Sequence, residues 1–540
     1  MSGFCNMNPR QVFVREATGL VRQAGLFDVF QVNALSMTAS LTLNAFVLML
    51  PLMTTGNGIW QAMTLGFLLS LFVQGTYYIL NVTLARSGGD YVYVSRLMHP
   101  SLGVMTAGMT GILGQLLFVA TGAAGLWVIL GLSPLLGILG LSALASAVTT
   151  PTYLTGLGLL IVFFCIALFV FGGPKTFFRF NNVCYIIATI GMIAAGVTFL
   201  MTSHMQFLNL FNSYAQSYGT SADDIINTAN SLGFTMPGND AWSVLVASSL
   251  CFNSFFWTTQ STYFGGEIKN VRRSAFGGMI GASAMWYVIA MLVVLAAYST
   301  VGPELISAAN WISFFNSSSW KIPTTTFMGL YVAIAANNQA MAIFFSVAIF
   351  AGSFPIVGLF MLIFSRVVFA LSFDRFFPAW FADIDDRTHS PVKALLVFAV
   401  LSIIFIVLVL VPGYSSIAVA MYLLNIGTTG IFMIGFLLGS LSLTMMPYLH
   451  KDLYERSCPF KRKVGGVPAV SIVGAISSIL LVLYEGIFIA YPAFYGVTPV
   501  LLQGIVGCAA FFFALYWAVR WFRKKQGIDI DMVFKEIPPE

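Results

Sequence analysis

The chain has 540 residues, of which 58% are hydrophobic and 8% are charged, and its mean hydropathy is +0.89. A soluble domain carries about 25% charged residues, so this composition excludes a soluble protein and indicates an integral membrane protein. The net charge of +6 reflects cations in the loops of one membrane side, as shown below, and we therefore expect no nucleic-acid partner.

Twelve apolar segments are predicted to cross the lipid bilayer. Each is long enough to traverse about 30 Å of hydrocarbon as a helix, and their continuous rather than alternating apolar pattern favours helices over a β-barrel. Residues 1–28 are polar and the first apolar run has full length, so no cleavable signal peptide is expected. In chain order the predicted spans are 29–53, 58–84, 101–131, 152–171, 183–201, 241–264, 277–301, 338–370, 393–411, 416–446, 467–491 and 499–520.

The distribution of lysine and arginine predicts the orientation. An even number of spans places both termini on one side, and 24 of the 25 Lys and Arg residues fall on that side, the exception being Lys321 in the outer loop 302–337. Because cytoplasmic loops are enriched in cations, we expect both termini in the cytoplasm and the protein in the plasma membrane. The predicted parts outside the spans include cytoplasmic tails 1–28 and 521–540, an extracellular loop 202–240 and a cytoplasmic loop 447–466.

The first span carries polar residues on one helical face. Asn33, Ser36, Ser40 and Asn44 follow each other at spacings of 3, 4 and 4 residues, which places them on one side of a helix. Hydroxyls flank small residues in this stretch, so the backbone is a candidate for unwinding there, while a polar stripe that only hydrogen-bonds to neighbouring helices is the alternative. The candidate residues are Ser36, Met37, Thr38, Ala39 and Ser40.

The sixth span combines polar residues with large aromatic side chains. Asn253, Trp257 and Gln260 share a helical face, and aromatic residues surround them. Apolar walls with a few orienting hydrogen-bond groups are typical of a small-molecule pocket, while ordinary aromatic packing is the alternative. The candidate pocket residues of this span are Asn253, Ser254, Phe256 and Trp257.

Two further residues are candidates for ion coupling. Ser353 precedes Pro355 in the eighth span, where its hydroxyl could face the first helix in a sodium site; a simple proline kink is the alternative. Glu485 is the only carboxylate deep in a predicted span, and intramembrane acids are functional candidates, with a snorkelling or protonated interface residue as the alternative. The coupling ion, H⁺ or Na⁺, and an exchange mode all stay open. The cysteines show neither a disulfide framework nor metal-ligand spacing, and we expect no cofactor.

Four loop stretches carry a family resemblance. They are "SGGDYVYVSR" (87–96), "GGEIKNVRRSA" (265–275), "SRVVFALSFDRFFP" (365–378) and "CPFKRKVGGVPAV" (458–470), each in a loop that charge places inside. In this order they resemble the loop signatures of permeases of the amino acid–polyamine–organocation (APC) superfamily. The residues assigned to a candidate cytoplasmic loop or gate are Gly88, Gly89, Asp90, Glu267, Lys269, Arg366 and Asp374.

The resemblance implies an all-α membrane protein of the LeuT type with twelve transmembrane helices. A first five-helix repeat would occupy 29–201 and an inverted second repeat 241–446, with two extra C-terminal helices in 467–520. In such transporters the first and sixth helices are interrupted where substrate binds, so the family's binding positions fall on the candidates of those two spans. Residues 29–55 contain no glycine, so the sequence does not mark the residue at which the first helix breaks.

The resemblance also implies a function, which is transport without enzymatic chemistry. We expect a secondary active transporter that moves amino acids or related small solutes by alternating access. No Asp or Glu falls mid-membrane in helices 1, 3, 6, 8 or 10, and an unpaired ammonium is costly there, so we expect a neutral substrate. A membrane solute sensor that uses the same pocket is the alternative, and no obligatory protein partner is expected.

Overall fold

The computed structural model describes residues 20–37, 39–122, 125, 127–410, 427 and 429–534. Helices dominate these residues, and eight of them are long and apolar enough to cross a membrane. The eight cover Asn57–Thr83, Pro100–Thr121, Pro151–Met201, Val271–Val301, Gln339–Phe373, Thr429–Leu449, Ala469–Ala490 and Pro499–Lys525. The chain is therefore a multi-pass all-α membrane protein, as its composition predicts.

The described helices are named in chain order. They are α1 (Leu26–Ser36), α2 (Ala39–Met53), α3 (Asn57–Thr83), α4 (Asp90–Leu97), α5 (Pro100–Thr106), α6 (Gln115–Thr121), α7 (Ser133–Ile138), α8 (Ser142–Ala147), α9 (Pro151–Met201), α10 (His204–Gln216), α11 (Ala222–Ser231), α12 (Ala241–Phe256), α13 (Val271–Phe276), α14 (Ala282–Val301), α15 (Pro303–Phe315), α16 (Met328–Ala336), α17 (Gln339–Ser353), α18 (Pro355–Phe373), α19 (Val392–Leu410), α20 (Thr429–Leu449), α21 (Lys451–Ser457), α22 (Ala469–Ala490), α23 (Pro492–Tyr495), α24 (Pro499–Lys525) and α25 (Ile530–Phe534).

Shorter elements connect these helices. A two-stranded antiparallel hairpin pairs β1 (Lys463–Val464) with β2 (Val467–Pro468). Its two turn residues, Gly465 and Gly466, have φ angles of 58° and 83°, which glycine adopts without steric cost. The 3₁₀ helices are Trp257–Tyr263, Gly265–Glu267, Ser317–Ser319 and Ala379–Ala382, and the π-helical turns are Ala107–Gly114, Val128–Leu132 and Gly277–Gly281.

The first predicted span forms two helices instead of one. α1 starts with a capped first turn, because the Gly25 N–H donates to Asp28 Oδ2 at 2.9 Å. It ends at Ser36, and the N–H of Met37 still reaches the Asn33 carbonyl at 3.3 Å. α2 begins at Ala39, and Thr38 lies outside the described residues. The interruption thus falls within the stretch 36–40 that the polar pattern singled out.

The sixth predicted span changes from an α-helix to a 3₁₀ helix. α12 ends at Phe256, and the 3₁₀ helix Trp257–Tyr263 continues the chain. The hydroxyls of Thr258, Thr259 and Thr262 each donate a hydrogen bond to the carbonyl three residues earlier, at 2.9–3.0 Å. Such local side-chain bonds compete with the α-helical ladder, so the cluster of threonines explains why the α-helix does not continue.

The predicted fourth and fifth spans form one hydrogen-bonded element with a kink. α9 has 51 residues, and a straight helix of that length would extend about 77 Å, far more than the bilayer core of about 30 Å. Gly173, with φ 69° and ψ −177°, interrupts the helical geometry, and Pro174 starts the second part. The sequence predicts separate spans over 152–171 and 183–201, but in the structure the helix resumes directly after Gly173, because proline fits the first turn of a helix.

The two long outer segments fold into short helices. α10 and α11 occupy much of 202–240, and α15 and α16 occupy much of 302–337. Serine caps start two of these helices, since Ser203 Oγ accepts from Gln206 N at 3.3 Å and Ser221 Oγ accepts from Asp224 N at 3.2 Å. Both stretches, which the sequence predicts only as outer loops, therefore contain helices.

Small residues allow the membrane helices to pack closely. α3 lies against α12 at Gly66, where an added Cβ would come within 2.5 Å of the Cys251 Cβ and 2.7 Å of the Ser248 carbonyl oxygen. α9 lies against α17 at Gly191, where an added Cβ would come within 2.1 Å of the Ala348 Cβ. Contacts of this kind are how membrane helices associate without a hydrophobic driving force, and the first one positions α12 for the site described next.

Candidate functional site

The interruptions of the first and sixth spans meet through side-chain hydrogen bonds. Ser36 Oγ lies 2.9 Å from the carbonyl oxygen of Trp257 and 2.8 Å from that of Asn33. The Asn33 amide binds Ser261 twice, since its Nδ2 donates to Ser261 Oγ and its Oδ1 accepts from the Ser261 N–H, both at 2.9 Å. These bonds tie α1 to the 3₁₀ helix 257–263, so the two segments form one unit.

Backbone carbonyls freed at the interruptions are taken up by neighbouring side chains. The carbonyl of Met37 accepts from Thr42 Oγ1 at 2.5 Å. The carbonyl of Phe255 accepts from Thr258 Oγ1 at 3.0 Å and from Gln74 Nε2 of α3 at 3.2 Å. Groups without a partner would be costly away from water, so these side chains stabilise the broken helices in the buried core.

An aromatic cluster lies beside the interruption of the sixth span. The Trp257 ring centroid is 4.8 Å from that of Phe432 on α20 and 5.2 Å from that of Phe118 on α6. Phe118 in turn contacts Phe360 of α18 at 5.4 Å, and Phe256 contacts Phe436 of α20 at 4.6 Å. Five elements, α6, α12, the 3₁₀ helix 257–263, α18 and α20, thus supply one apolar wall of the kind that small-molecule pockets use.

The candidates of the first span have different positions in the structure. Ser36 is buried at the end of α1 and reaches across to the sixth span. Met37 is also buried and caps α1. Thr38 lies outside the described residues, and Ala39 and Ser40 begin α2 with side chains outside the described part.

The candidate residues of the sixth span differ in whether their polar side-chain atoms have hydrogen-bond partners. Asn253 is buried on α12, one turn before Trp257, and its Oδ1 has no hydrogen-bond partner among the described residues. Ser254 instead donates to the Leu250 carbonyl of its own helix at 2.8 Å. Phe256 and Trp257 are buried in the aromatic cluster. Among the described residues of this span, Asn253 Oδ1 and Gln260 Oε1 are therefore both buried polar atoms without a hydrogen-bond partner.

The two ion-coupling candidates lie on different helices, and Ser353 is buried whereas Glu485 is partly buried. Ser353 is the last residue of α17, and its Oγ has no hydrogen-bond partner in the described part of the chain. Glu485 lies on α22 opposite Gly430 of α20, where an added Cβ would be 3.0 Å from Glu485 Oε1. Its Oε2 is buried and, over the described ranges, has no hydrogen-bond partner.

A buried ion pair joins the loop after the sixth span to α18. Arg366 donates through Nε to Glu267 Oε1 at 2.7 Å and through Nη2 to Oε2 at 2.9 Å. The two side chains are 0% and 1% exposed. The carbonyl of Glu267 also accepts from the N–H groups of Gln23 and Ala24, and the N–H of the exposed Lys269 donates to the Ala24 carbonyl. The side chain of Glu267 thus forms a bidentate pair with Arg366, while its backbone and that of Lys269 hold the start of the described chain.

A second buried ion pair joins α4 to the end of α18. Arg96 Nη2 lies 2.8 and 2.7 Å from the two carboxylate oxygens of Asp374, and the Tyr91 hydroxyl donates to Asp374 Oδ2 at 2.6 Å. The other end of the described chain covers this pair, because the Phe534 ring of α25 lies 4.9 Å from the Arg96 guanidinium carbon. We call the surface that carries Ala24, Glu267, Arg96 and Phe534 the terminal face.

A third cluster near the terminal face centres on Asp90, a buried carboxylate. The hydroxyls of Tyr77 on α3 and Tyr263 donate to its two oxygens at 2.5 and 2.7 Å. Burial raises the pKa of the Asp90 carboxyl above its usual value, and these two hydrogen bonds oppose the shift. Asp90 thereby connects the loop after α3 to the end of the 3₁₀ helix.

Two glycines let the loop before Asp90 approach the sixth span. The Gly88 N–H donates to the Tyr263 carbonyl at 2.8 Å. Gly89 has a φ of 52°, and an added Cβ would come within 2.6 Å of the Tyr263 ring. A larger residue would be excluded at Gly89 both by its backbone conformation and by the close approach of the ring.

Several residues of these clusters were missed from the sequence. Tyr77, Tyr91, Tyr263 and Ser261 each bind a partner that is distant in sequence. Ser261 belongs to a conspicuous polar run, "TTQST", that could have singled it out. Tyr91 lies in the quoted motif "SGGDYVYVSR", but the sequence does not identify the partner of any of the three tyrosines, because folding brings each of them to its carboxylate.

These observations define a multi-pass helical membrane protein with two interrupted helices joined at their polar centres. A family model described as amino acid permease matches residues 27–519. The chain therefore belongs to the amino acid permease family, which confirms the resemblance to APC permeases. A comparison with curated proteins gives no match. As a family member, the protein is a membrane transporter of amino acids rather than an enzyme.

Proposed function

We propose that the protein is a secondary active transporter that moves a neutral amino acid by alternating access. The observation that carries the proposal is the 2.9 Å hydrogen bond from Ser36 to the Trp257 carbonyl, which joins the interruption of the first span to that of the sixth. Transporters with interrupted helices bind their substrates at such points, near the centre of the membrane.

The proposed architecture has twelve spans in two inverted repeats, 29–201 and 241–446, followed by two helices in 467–520. The two interrupted spans occupy the first position of each repeat, which supports this division. Both ends of the described chain contact the terminal face, as an even number of spans requires. The excess of cations in the loops of that side supports a cytoplasmic orientation in the plasma membrane.

The proposed binding site uses the ends of the interrupted helices to recognise a zwitterion. The first backbone N–H groups of α2 have no partner within that helix, and together with the helix dipole they favour the substrate carboxylate. The open Oδ1 of Asn253 is an acceptor for the ammonium group. The residues assigned to the site are Ser36, Met37, Thr38, Ala39, Ser40, Asn253, Ser254, Phe256 and Trp257.

The proposed cytoplasmic gate consists of the three buried clusters at the terminal face. Glu267–Arg366 and Arg96–Asp374 each join elements from different parts of the chain, and Asp90 joins the loop after α3 to the sixth span. Gly88, Gly89 and the backbone of Lys269 hold the loops in place. Alternating access requires these connections to separate, because they close the path from the site to the terminal face.

The proposed coupling ion is a proton or sodium, for which two residues offer open oxygen atoms. The buried Ser353 Oγ at the junction of α17 and α18 suits a sodium ion, which takes oxygen ligands. The partly buried Glu485, whose Oε2 atom is inaccessible, suits a proton. Uptake measured with a sodium gradient alone and with a proton gradient alone distinguishes them. Ser353→Ala should abolish a sodium dependence, and Glu485→Gln should abolish a proton dependence.

The binding site is tested by saturable uptake of a labelled neutral amino acid into proteoliposomes. We expect Asn253→Ala to abolish saturable uptake, because it removes the open acceptor. Asn209→Ala, the same change at an exposed position of α10, is the matched control and should transport normally. Unchanged uptake by Asn253→Ala would refute this placement of the site, and substrate binding without flux in the wild type would indicate a sensor.

A further inference from the structure

Pro51 leaves a backbone carbonyl of α2 without its helical partner. Proline lies inside this helix and has no N–H, so the carbonyl of Val47, four residues earlier, loses the hydrogen bond that an α-helix would supply. Both residues are buried, and a buried carbonyl without a donor is costly. The helix therefore needs a donor from another element at this position.

Asn310 of α15 supplies this donor. Its Nδ2 lies 3.0 Å from the carbonyl oxygens of Val47 and Leu48, and its Oδ1 accepts from the Tyr331 hydroxyl of α16 at 2.8 Å. The two carbonyls can only accept, so they fix the orientation of the amide group. Asn310 is 0% exposed, and both of its N–H groups and its oxygen are used inside the protein.

A second side chain of α15 binds the same end of α2. Ser307 precedes Asn310 by three residues, which places both on one face of α15, and its Oγ donates to the Pro51 carbonyl at 3.0 Å. That carbonyl belongs to the last turn of α2, where the helix itself provides no donors. Three hydrogen bonds thus join α15 to the end of α2 that lies away from the interruption of the first span.

The opposite end of α2 is where the proposed site binds the substrate carboxylate. Pro51 is twelve residues after Ala39, the first residue of α2, and at 1.5 Å per residue the two lie about 18 Å apart. Over that length a tilt of about 3° moves the first turn of α2 by about 1 Å. Binding groups have to be held within about 0.5 Å of their productive positions, so the orientation of α2 determines how well the site fits its ligand.

The proline makes this orientation depend on α15. A missing hydrogen bond allows a helix to bend, and proline is the usual cause of such bends. The bonds from α15 lie at the proline, and α15 belongs to the segment 302–337 instead of a predicted span. The direction of α2 is thus held by a helix outside the predicted spans.

We propose that Asn310 is a positioning residue for substrate binding, which replaces the N–H that Pro51 lacks and thereby holds α2 in the orientation that its ligand requires. This inference rests on the proposed function, because it assumes that the first turn of α2 binds the substrate. Asn310 acts through the backbone of α2 and does not touch the substrate. Loss of its bonds therefore weakens substrate binding more than it changes the rate at which the loaded transporter turns over.

Equilibrium binding of a labelled neutral amino acid to the purified full-length protein tests this proposal, together with counterflow kinetics. We expect Asn310→Leu to raise the dissociation constant and KM about tenfold, with the maximal rate within about threefold of the wild type. Asn230→Leu, the same change at an exposed position of α11, is the matched control and should bind normally. A merely structural role would lower the melting temperature of Asn310→Leu and leave the affinity of the folded protein unchanged.

Pro51→Ala provides a compensating change. Alanine restores the backbone N–H for the Val47 carbonyl, so the amide of Asn310 becomes largely dispensable. Asn310→Leu combined with Pro51→Ala should therefore bind within about threefold of Pro51→Ala alone. A loss of about tenfold that persists in this background would overturn the proposal, because the amide would then not act by replacing the missing N–H.

Two further results separate this inference from the proposed function. A wild type that binds no neutral amino acid would contradict the proposed function and this inference with it, whereas wild-type binding with unchanged affinity in Asn310→Leu would overturn this inference alone. Tyr331→Phe replaces Asn310→Leu if that variant does not fold, since it removes only the hydroxyl that orients the amide. It should weaken binding about threefold, and an unchanged affinity would contradict the proposal.

Discussion

Glu267→Gln provides a quantitative test of the proposed gate. The substitution removes the charge that balances Arg366 but preserves the side-chain shape. Both side chains are nearly inaccessible, and their two hydrogen bonds measure 2.7 and 2.9 Å. Removing one partner of a buried pair leaves the other charge uncompensated and costs about 3–5 kcal/mol. Because the amide oxygen of glutamine still accepts one hydrogen bond, we expect a loss of about 3 kcal/mol in the free energy of unfolding.

A double-mutant cycle in mixed detergent micelles separates the pair from its surroundings. Glu267→Gln, Arg366→Met and the combined variant are unfolded by increasing SDS, and the combined loss should be smaller than the sum by about 2 kcal/mol. Asp383→Asn is the control, since the Asp383–Lys393 pair is equally short at 2.6 Å but its side chains are 55% and 56% exposed. It should cost less than about 1 kcal/mol. A coupling energy below about 0.5 kcal/mol for the buried pair would refute the reasoning.

Three further variants test other parts of the structure. Asp90→Asn should flatten the pH dependence of thermal stability. Because burial raises the pKa of Asp90, wild-type stability is greatest below the unfolded-state pKa of about 4 and falls as pH rises through the folded-state pKa. Melting temperatures measured from pH 4 to 8 test this, and an equal slope against pH in the wild type and in Asp90→Asn would contradict it. Ser36→Ala should lower the free energy of unfolding by about 1 kcal/mol through loss of the bond to Trp257, and an unchanged SDS midpoint would contradict it. Gly66→Ala should cost about 1–3 kcal/mol because α3 and α12 are forced apart, whereas Gly504→Ala, where an added Cβ meets nothing, should be neutral by the same titration.

The sequence predicts the stretch in which the first span is interrupted, but not the residue at which the helix ends. The polar spacing from Asn33 to Ser40 identified the stretch, yet it contains no glycine to mark the break. In the structure α1 ends at Ser36, whose hydroxyl binds the Trp257 carbonyl. That partner lies 221 residues away, so no local pattern could have fixed the residue at which the helix ends.

For the candidate gate, the sequence likewise identifies the charged residues but not the partner of each one. The loop motifs identified Asp90, Glu267, Arg366 and Asp374 as a set. Which carboxylate faces which cation depends on how the loops pack, and Asp90 turns out to bind tyrosine hydroxyls instead of a cation. The bounds of the fourth and fifth spans could not be predicted in the same way. The sequence ends one span at residue 171 and starts the next at 183, whereas the helix resumes directly after Gly173, because glycine and proline indicate a break but not its length.

Counterflow in proteoliposomes tests the central claim most directly. Vesicles loaded with an unlabelled amino acid are diluted into the same labelled amino acid, with neutral, cationic and acidic substrates compared in parallel. The account predicts transient accumulation of label for neutral amino acids, absent in Asn253→Ala and preserved in Asn209→Ala. Accumulation restricted to cationic substrates, or saturable binding without any accumulation, would contradict it.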